Sequence, residues 1–169
     1  LQSLDDGGLY LNVHSDANPS GEIRGQLGRD VFTARLSGDQ ETTPVASTGS
    51  GLGFVALDPV TRQLTGEVEI EGFDSTAAHI HAGAFGSNGA VLIELEDHGG
   101  HGHYTVPANT VLTTEQVESL RAGGLYFNAH SEANPTGEVR GQIGQRVLLG
   151  DASGTQEVPA NASTATGRA

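Results

Sequence analysis

The sequence contains no cysteine, methionine or tryptophan. Without cysteine no disulfide framework is possible, so stability must come from packing, backbone ladders or bound ions. Lysine is absent too, and all eight cationic side chains are arginine. Set against 21 acidic residues, they leave a formal net charge of −13. That balance argues against nucleic acid and anionic membrane surfaces as partners and favours cations. No apolar run approaches the length needed to span a bilayer. No phosphate-binding loop is present, and no serine–histidine–acid or cysteine–histidine arrangement can be assembled. No signal peptide is legible. What the chain has in excess is glycine, 25 of 169 residues. So many glycines point to tight turns and not to long helices.

A repeat organises the whole. Residues 4–28 and 120–144 are identical at 17 of 25 positions, at an offset of 116 residues. Most differences are like for like, such as Asp16/Glu132, Ser20/Thr136 and Ile23/Val139. The same offset relates Ser37-Gly38 to Ser153-Gly154, Gln40-Glu41 to Gln156-Glu157, and Ala46-Ser47-Thr48 to Ala162-Ser163-Thr164. A fixed period is settled first, because it decides where a unit begins. The period predicts the end of one unit over 1–30, a complete unit over 31–145 and the start of a third over 146–169.

Within the complete unit, short alternating segments dominate. Residues 31–36, 52–58, 64–71, 77–82, 90–95, 125–130 and 138–143 read as strands. Asp58-Pro59, the glycine-rich 83–89 stretch and Asn134-Pro135-Thr136-Gly137 supply the turns, and 98–103 reads as a loop. One helix is predicted over 112–122, with Thr113 and Gln116 at capping-box spacing and Gly123-Gly124 as its stop. The pattern predicts an all-β fold: an antiparallel β-sandwich with one short helix per unit. Leu125, Phe127, Val68, Ile70, Val91 and Ile93 are its expected core. The flanking fragments cannot bury Leu9, Leu11, Ile23 and Leu27, or Val147, Leu148 and Leu149, by themselves, since an isolated hairpin is marginal in water. They are therefore expected to pair with a neighbouring repeat or another chain, head to tail.

Histidine carries the sharpest chemical signal. On a strand, His79 and His81 point to one face and can share a metal, with His130 from a second motif strand as the natural third ligand. Copper or zinc suits such imidazoles. The competing reading is structural, with the imidazoles hydrogen-bonding loops. His98, His101 and His103, in a glycine-rich loop near Glu94, Glu96 and Asp97, form a secondary candidate for zinc, copper or nickel. A flexible solvated loop is the better account there, given what glycine costs to order. Glu138 and Arg140, repeated as Glu22 and Arg24, suit a structural ion pair or cross-strand hydrogen bonds. Asp16-Ala17-Asn18 and Glu132-Ala133-Asn134 do not have the spacing of a calcium loop. Asn161-Ala162-Ser163 is a formal glycosylation sequon.

Gln40-Glu41, Leu64-Thr65-Gly66, His79-Ile80-His81-Ala82-Gly83, the 112–124 helix and the Tyr-x-Asn-x-His…Asn-Pro-x-Gly-Glu-x-Arg-Gly-Gln ending together resemble a chordin-type (CHRD) domain. The resemblance implies a β-sandwich of immunoglobulin-like or superoxide-dismutase-like architecture. It further implies an extracellular or cell-surface setting; it does not imply an enzymatic activity, and none is expected. The expected role is a structural or interaction module of a secreted surface protein or filament that associates with its neighbours. The alternative is a copper- or zinc-binding module with possible redox chemistry.

Overall fold

The structure, a computed structural model, describes residues 9–27, 30–100, 102–144, 151–153 and 166–168. Its side chains are described within 14–22, 30–100 and 102–144. The expectations for the side chains of Leu9, Leu11, Ile23, Arg24, Leu27, His101, Val147, Leu148 and Leu149, and for the Asn161 sequon, lie outside these residues.

Glycine-punctuated alternation produces a chain of short strands. In order they are β1 (Leu9–Val13), β2 (Ile23–Leu27), β3 (Asp30–Ser37), β4 (Ser50–Leu57), β5 (Leu64–Glu71), β6 (Ala77–Ala82), β7 (Val91–Glu94), β8 (Glu96–Asp97), β9 (His103–Thr105), β10 (Leu125–His130), β11 (Val139–Gln142), β12 (Asp151–Ser153) and β13 (Thr166–Arg168). A 3-10 turn, Gly38–Gln40, follows β3. The single α-helix among the described residues, α1, is Thr114–Arg121. Its capping box is formed as the spacing predicts. The Thr113 side chain accepts from the Gln116 N–H, and the Gln116 side chain accepts from the Thr113 N–H. Together these satisfy two of the backbone donors that a helix start leaves free.

Nine strands form one antiparallel sheet, in the order β7-β6-β10-β11-β3-β4-β5-β9-β8. Its two ends, β7 and β8, are consecutive in sequence, separated only by Leu95. The chain passes from one end of the sheet to the other without a connection, so the sheet has curled until its edges meet. The result is a flattened, nearly closed barrel. The all-β antiparallel expectation holds, and both layers belong to one sheet. Curling brings the two end strands together at Leu95, although β7 and β8 do not pair and remain the ends of the ladder. His103 is drawn out of the predicted loop into β9, which pairs with β5 and β8.

Inside the barrel, Phe127, Val55, Val68, Ile80, Leu57, Leu64, Leu125 and Ile143 are fully buried. Leu112, Val117 and Leu120 bring α1 onto the same cluster. Two of the six expected core residues differ. Val91 is 47% exposed, and Ile93 only packs against the core from the side. Their strand is the end member of the sheet order, and its register slips at Ile80/His81, so its apolar side chains are not enclosed as those of a central strand would be.

Strand β10 is central in another sense. All six of its residues are buried, not only the apolar alternates. Leu125, Phe127 and Ala129 enter the core. Tyr126, Asn128 and His130 face the other side, where the 38–49 and 83–90 segments roof them over. Asn128 donates to Glu41 (2.6 Å), the Gly89 N–H donates to the Tyr126 hydroxyl (3.2 Å), and Arg140 donates to the Ala84 carbonyl (2.9 Å). Gln142 donates to the carbonyls of Gly83, Gly123 and Leu125 at 2.7–3.0 Å. This is a second, polar interior held by a hydrogen-bond network, in which His81 Nε2 and the Nε and Nη1 of Arg140 are left without a partner.

The repeat extends to register. β1 pairs with β2 as β10 pairs with β11: Tyr10↔Gln26 matches Tyr126↔Gln142, and Asn12↔Arg24 matches Asn128↔Arg140. β12 pairs with β13 as β3 pairs with β4: Ser153↔Thr166 matches Ser37↔Ser50.

Candidate metal centre

The polar interior gathers three histidines. His79 and His81 lie two apart on β6, and His130 ends the neighbouring β10. One nitrogen from each lies within 4.8 Å of the other two. His79 Nδ1 is 3.0 Å from His130 Nε2, and the ring centroids are 4.8–6.3 Å apart. The sequence pairing of His79-x-His81 with His130 is therefore realised in space.

The hydrogen bonds around the rings determine which nitrogens are available. His81 Nδ1 is 3.0 Å from the Gly89 carbonyl, and His130 Nδ1 is 3.2 Å from the Pro135 carbonyl. A carbonyl only accepts, so each Nδ1 carries the proton and each Nε2 keeps a lone pair. This is the way metal-binding histidines are commonly oriented by a second layer of contacts. The lone pair of His130 faces His79. The Nε2 of His81 is buried and has no hydrogen-bond partner. Burial pushes the pKa values of His81 and His130 below the ordinary histidine range, and the neighbouring imidazoles add to the effect. Both rings are thus held neutral, the form that binds metal. A tetrahedral centre with metal–nitrogen bonds of about 2.0–2.1 Å needs nitrogens roughly 3.3–3.4 Å apart, so modest ring rotations close the cluster around an ion. His81 and His130 are buried and His79 is half-exposed, which gives the group one side toward solvent.

Beneath the histidines lies a stack that sequence reasoning missed. His81 lies parallel to Tyr126, with centroids 5.0 Å apart and planes 10° apart. The Arg140 guanidinium carbon sits 3.6 Å from the centroid of the same ring. Because β10 lies between β6 and β11, Tyr126 is sandwiched between an imidazole and a guanidinium. Arg140 is 1% exposed, and its Nε and Nη1 have no partner. Such a buried cation leans on the ring face. Burial lowers the Arg140 pKa, while Tyr126 and Glu41 oppose that. The available signal was the repeated Tyr-x-Asn-x-His…Arg pattern, whose tyrosine alternation alone marks only as a solvent-side residue.

The other predicted residues behave differently. Glu138 and Arg140 take separate partners and do not form the expected ion pair. Glu138 accepts from Ser47 (2.7 Å), Ser131 and Asn134 (3.1 Å), which hold its carboxyl below the usual range. Glu22 repeats part of this, accepting from Ser15 and Asn18, and its carboxyl is lowered likewise. His14 repeats the His130 contact, its Nδ1 lying 3.0 Å from the Pro19 carbonyl. In the secondary cluster, His98 contacts Thr105 (2.8 Å), whereas His103 lies 3.4 Å from Glu67 and 3.7 Å from Glu69. The two rings also lie against each other, with centroids 5.8 Å apart, but among the described residues the one group of three or more such side chains that converges as a metal site would is His79, His81 and His130. The Asn18 and Asn134 loops are turns in which Ser15 and Ser131 accept the asparagine N–H.

A curled antiparallel sheet, one capped helix and a strand pair whose register recurs at 116 residues define an all-β barrel-like module. The chain matches the CHRD domain over residues 1–27 and 32–143, and it belongs to that family. It is 28% identical to "Chordin" of Danio rerio over 159 residues, covering 80% of this chain and 16% of that protein. The chain thus spans about a sixth of the length of this relative. No solved structure matches the chain. Among the described residues, no helix is long and apolar enough to cross a membrane.

Proposed function

We propose that the chain is an extracellular, non-enzymatic CHRD module that holds a transition metal, zinc or copper, at His79, His81 and His130. The observation that carries this reading is the convergence of one ring nitrogen each from His79, His81 and His130 within 4.8 Å, together with the buried, partnerless Nε2 of His81, whose Nδ1 is engaged by the Gly89 carbonyl. A lone pair buried without a donor is costly unless something supplies a positive charge to it. The test is elemental analysis and calorimetric titration of tag-free protein with Zn²⁺ and Cu²⁺. One metal per complete unit is expected, lost in His81→Ala and His130→Ala. Wild-type protein that takes up neither ion stoichiometrically would refute the reading.

A second reading concerns organisation. The shared registers of β1–β2 with β10–β11 and of β12–β13 with β3–β4 favour units in series: 1–30, 31–145 and 146–169. Neighbouring units then meet head to tail by strand pairing and associate into a surface array or filament. Light scattering and electron microscopy test this, and strictly monomeric particles at every concentration would count against it.

A further inference from the structure

The metal-binding reading leaves one coordination position for something other than histidine, and we infer that Glu94 fills it. The proposal rests on that reading. Strand β7 pairs with β6 so that Glu94 stands directly opposite His79. Directly opposed residues of an antiparallel pair point to the same face, with their Cβ atoms about 4.5–5.5 Å apart. The neighbouring Leu95 N–H donates to the Ala78 carbonyl (3.1 Å), which holds the strand in register just past Glu94. His79 is the half-exposed member of the three histidines, so Glu94 stands on the solvent-facing side of the cluster, where the fourth position falls.

The other carboxylates on this side of the sheet are committed. Glu41 accepts from Asn128, and Glu138 accepts from Ser47, Ser131 and Asn134. Among the described residues, none hydrogen-bonds the Glu94 carboxylate. Its side chain is exposed and lies outside the 4.8 Å cluster, so it must swing inward when an ion arrives. A carboxylate oxygen there makes a three-histidine, one-carboxylate set and closes a tetrahedral site. It also supplies anionic charge on a face whose nearest fixed cation, Arg140, is turned to the far side of Tyr126. A closed site of this kind holds a metal for stability. An open one would leave the position to water or an exogenous ligand.

The experiment uses the full chain, with Zn²⁺ for affinity and Co²⁺ as a spectroscopic probe of coordination. Glu94→Gln and Glu94→Ala should weaken Zn²⁺ binding by at least about tenfold, the order seen when a metal site loses a supporting group. The intensity of the Co²⁺ visible bands should change with them. Glu96→Gln, the same charge change two residues away, should leave both unchanged. Because Glu94 is exposed, the metal-free variants should unfold as wild type does, which separates ligand loss from misfolding. Unchanged affinity in Glu94→Gln, or equal weakening by Glu96→Gln, would overturn the assignment and leave the three-histidine site standing. A wild-type chain that binds no metal would sink both.

Discussion

The two copies of the hairpin contain a built-in comparison of one network at two burials. Glu138 and Glu22 occupy equivalent positions, and each accepts from the serine and asparagine of its own turn. Only Glu138 is covered: it is 8% exposed and takes a third bond from Ser47, 91 residues away. Glu22 is exposed. Replacing Glu138 with glutamine keeps the shape but removes the charge from three hydrogen bonds and gives the site a donor where it needs an acceptor. Hydrogen bonds to charged groups contribute about 1.5–3 kcal/mol each, and the serine hydroxyls can turn to recover part, so a loss of about 2–4 kcal/mol is expected. Glu22→Gln should leave the unfolding midpoint of the main transition where it is. Urea unfolding followed by far-ultraviolet circular dichroism measures both. The pH dependence adds a sign. Because the folded-state pKa of Glu138 is lowered, its contribution is fully present above the unfolded-state value. It is lost as the pH falls through the folded-state value. Wild type should therefore lose stability more steeply than Glu138→Gln below about pH 4.5, with the two curves converging in strong acid. If Glu138→Gln costs no more than Glu22→Gln, or the curves stay parallel, the network does not hold the loop as described. The same loop presents Pro135 to His130, so Glu138→Gln should also weaken any metal bound there.

Gly89→Ala should be severely destabilising, because an added Cβ would lie 1.4 Å from the Ala82 carbonyl oxygen; thermal unfolding should show it, and the His81 ring should lose its fixed orientation by NMR. Arg140→Met removes a cation that rests on Tyr126 and lacks two hydrogen-bond partners, so the replacement should cost less stability than loss of a fully paired buried arginine, while the Tyr126 fluorescence environment changes. Thr113→Ala opens the capping box and should cost about 1 kcal/mol in urea unfolding, with no effect on metal uptake.

Local chemistry fixed much of this molecule. Alternation placed β6 over Ala77–Ala82 and β10 over Leu125–His130, the Thr113/Gln116 spacing started the helix, and the repeat foretold register as well as composition. His79 and His81 had to share a face because a strand alternates with period two. Nothing local could say that β10 would lie beside β6, and so bring His130 to them, since that contact spans 51 residues and depends on strand order. Nor could alternation tell that the polar face of β10 is buried. A pattern of apolar and polar residues reports two faces, and only the loops folded over the second decide that it is an interior. The same holds for Val91, whose pattern is that of a core strand and whose position at the end of the sheet order leaves it half in water. The unpaired fates of Glu138 and Arg140 have one cause as well. Residues two apart on a strand share a face, but buried polar groups go to whichever partners the fold brings within about 3 Å: for Glu138, Ser47 and its own turn residues Ser131 and Asn134, and for Arg140, the Ala84 carbonyl and Gln142.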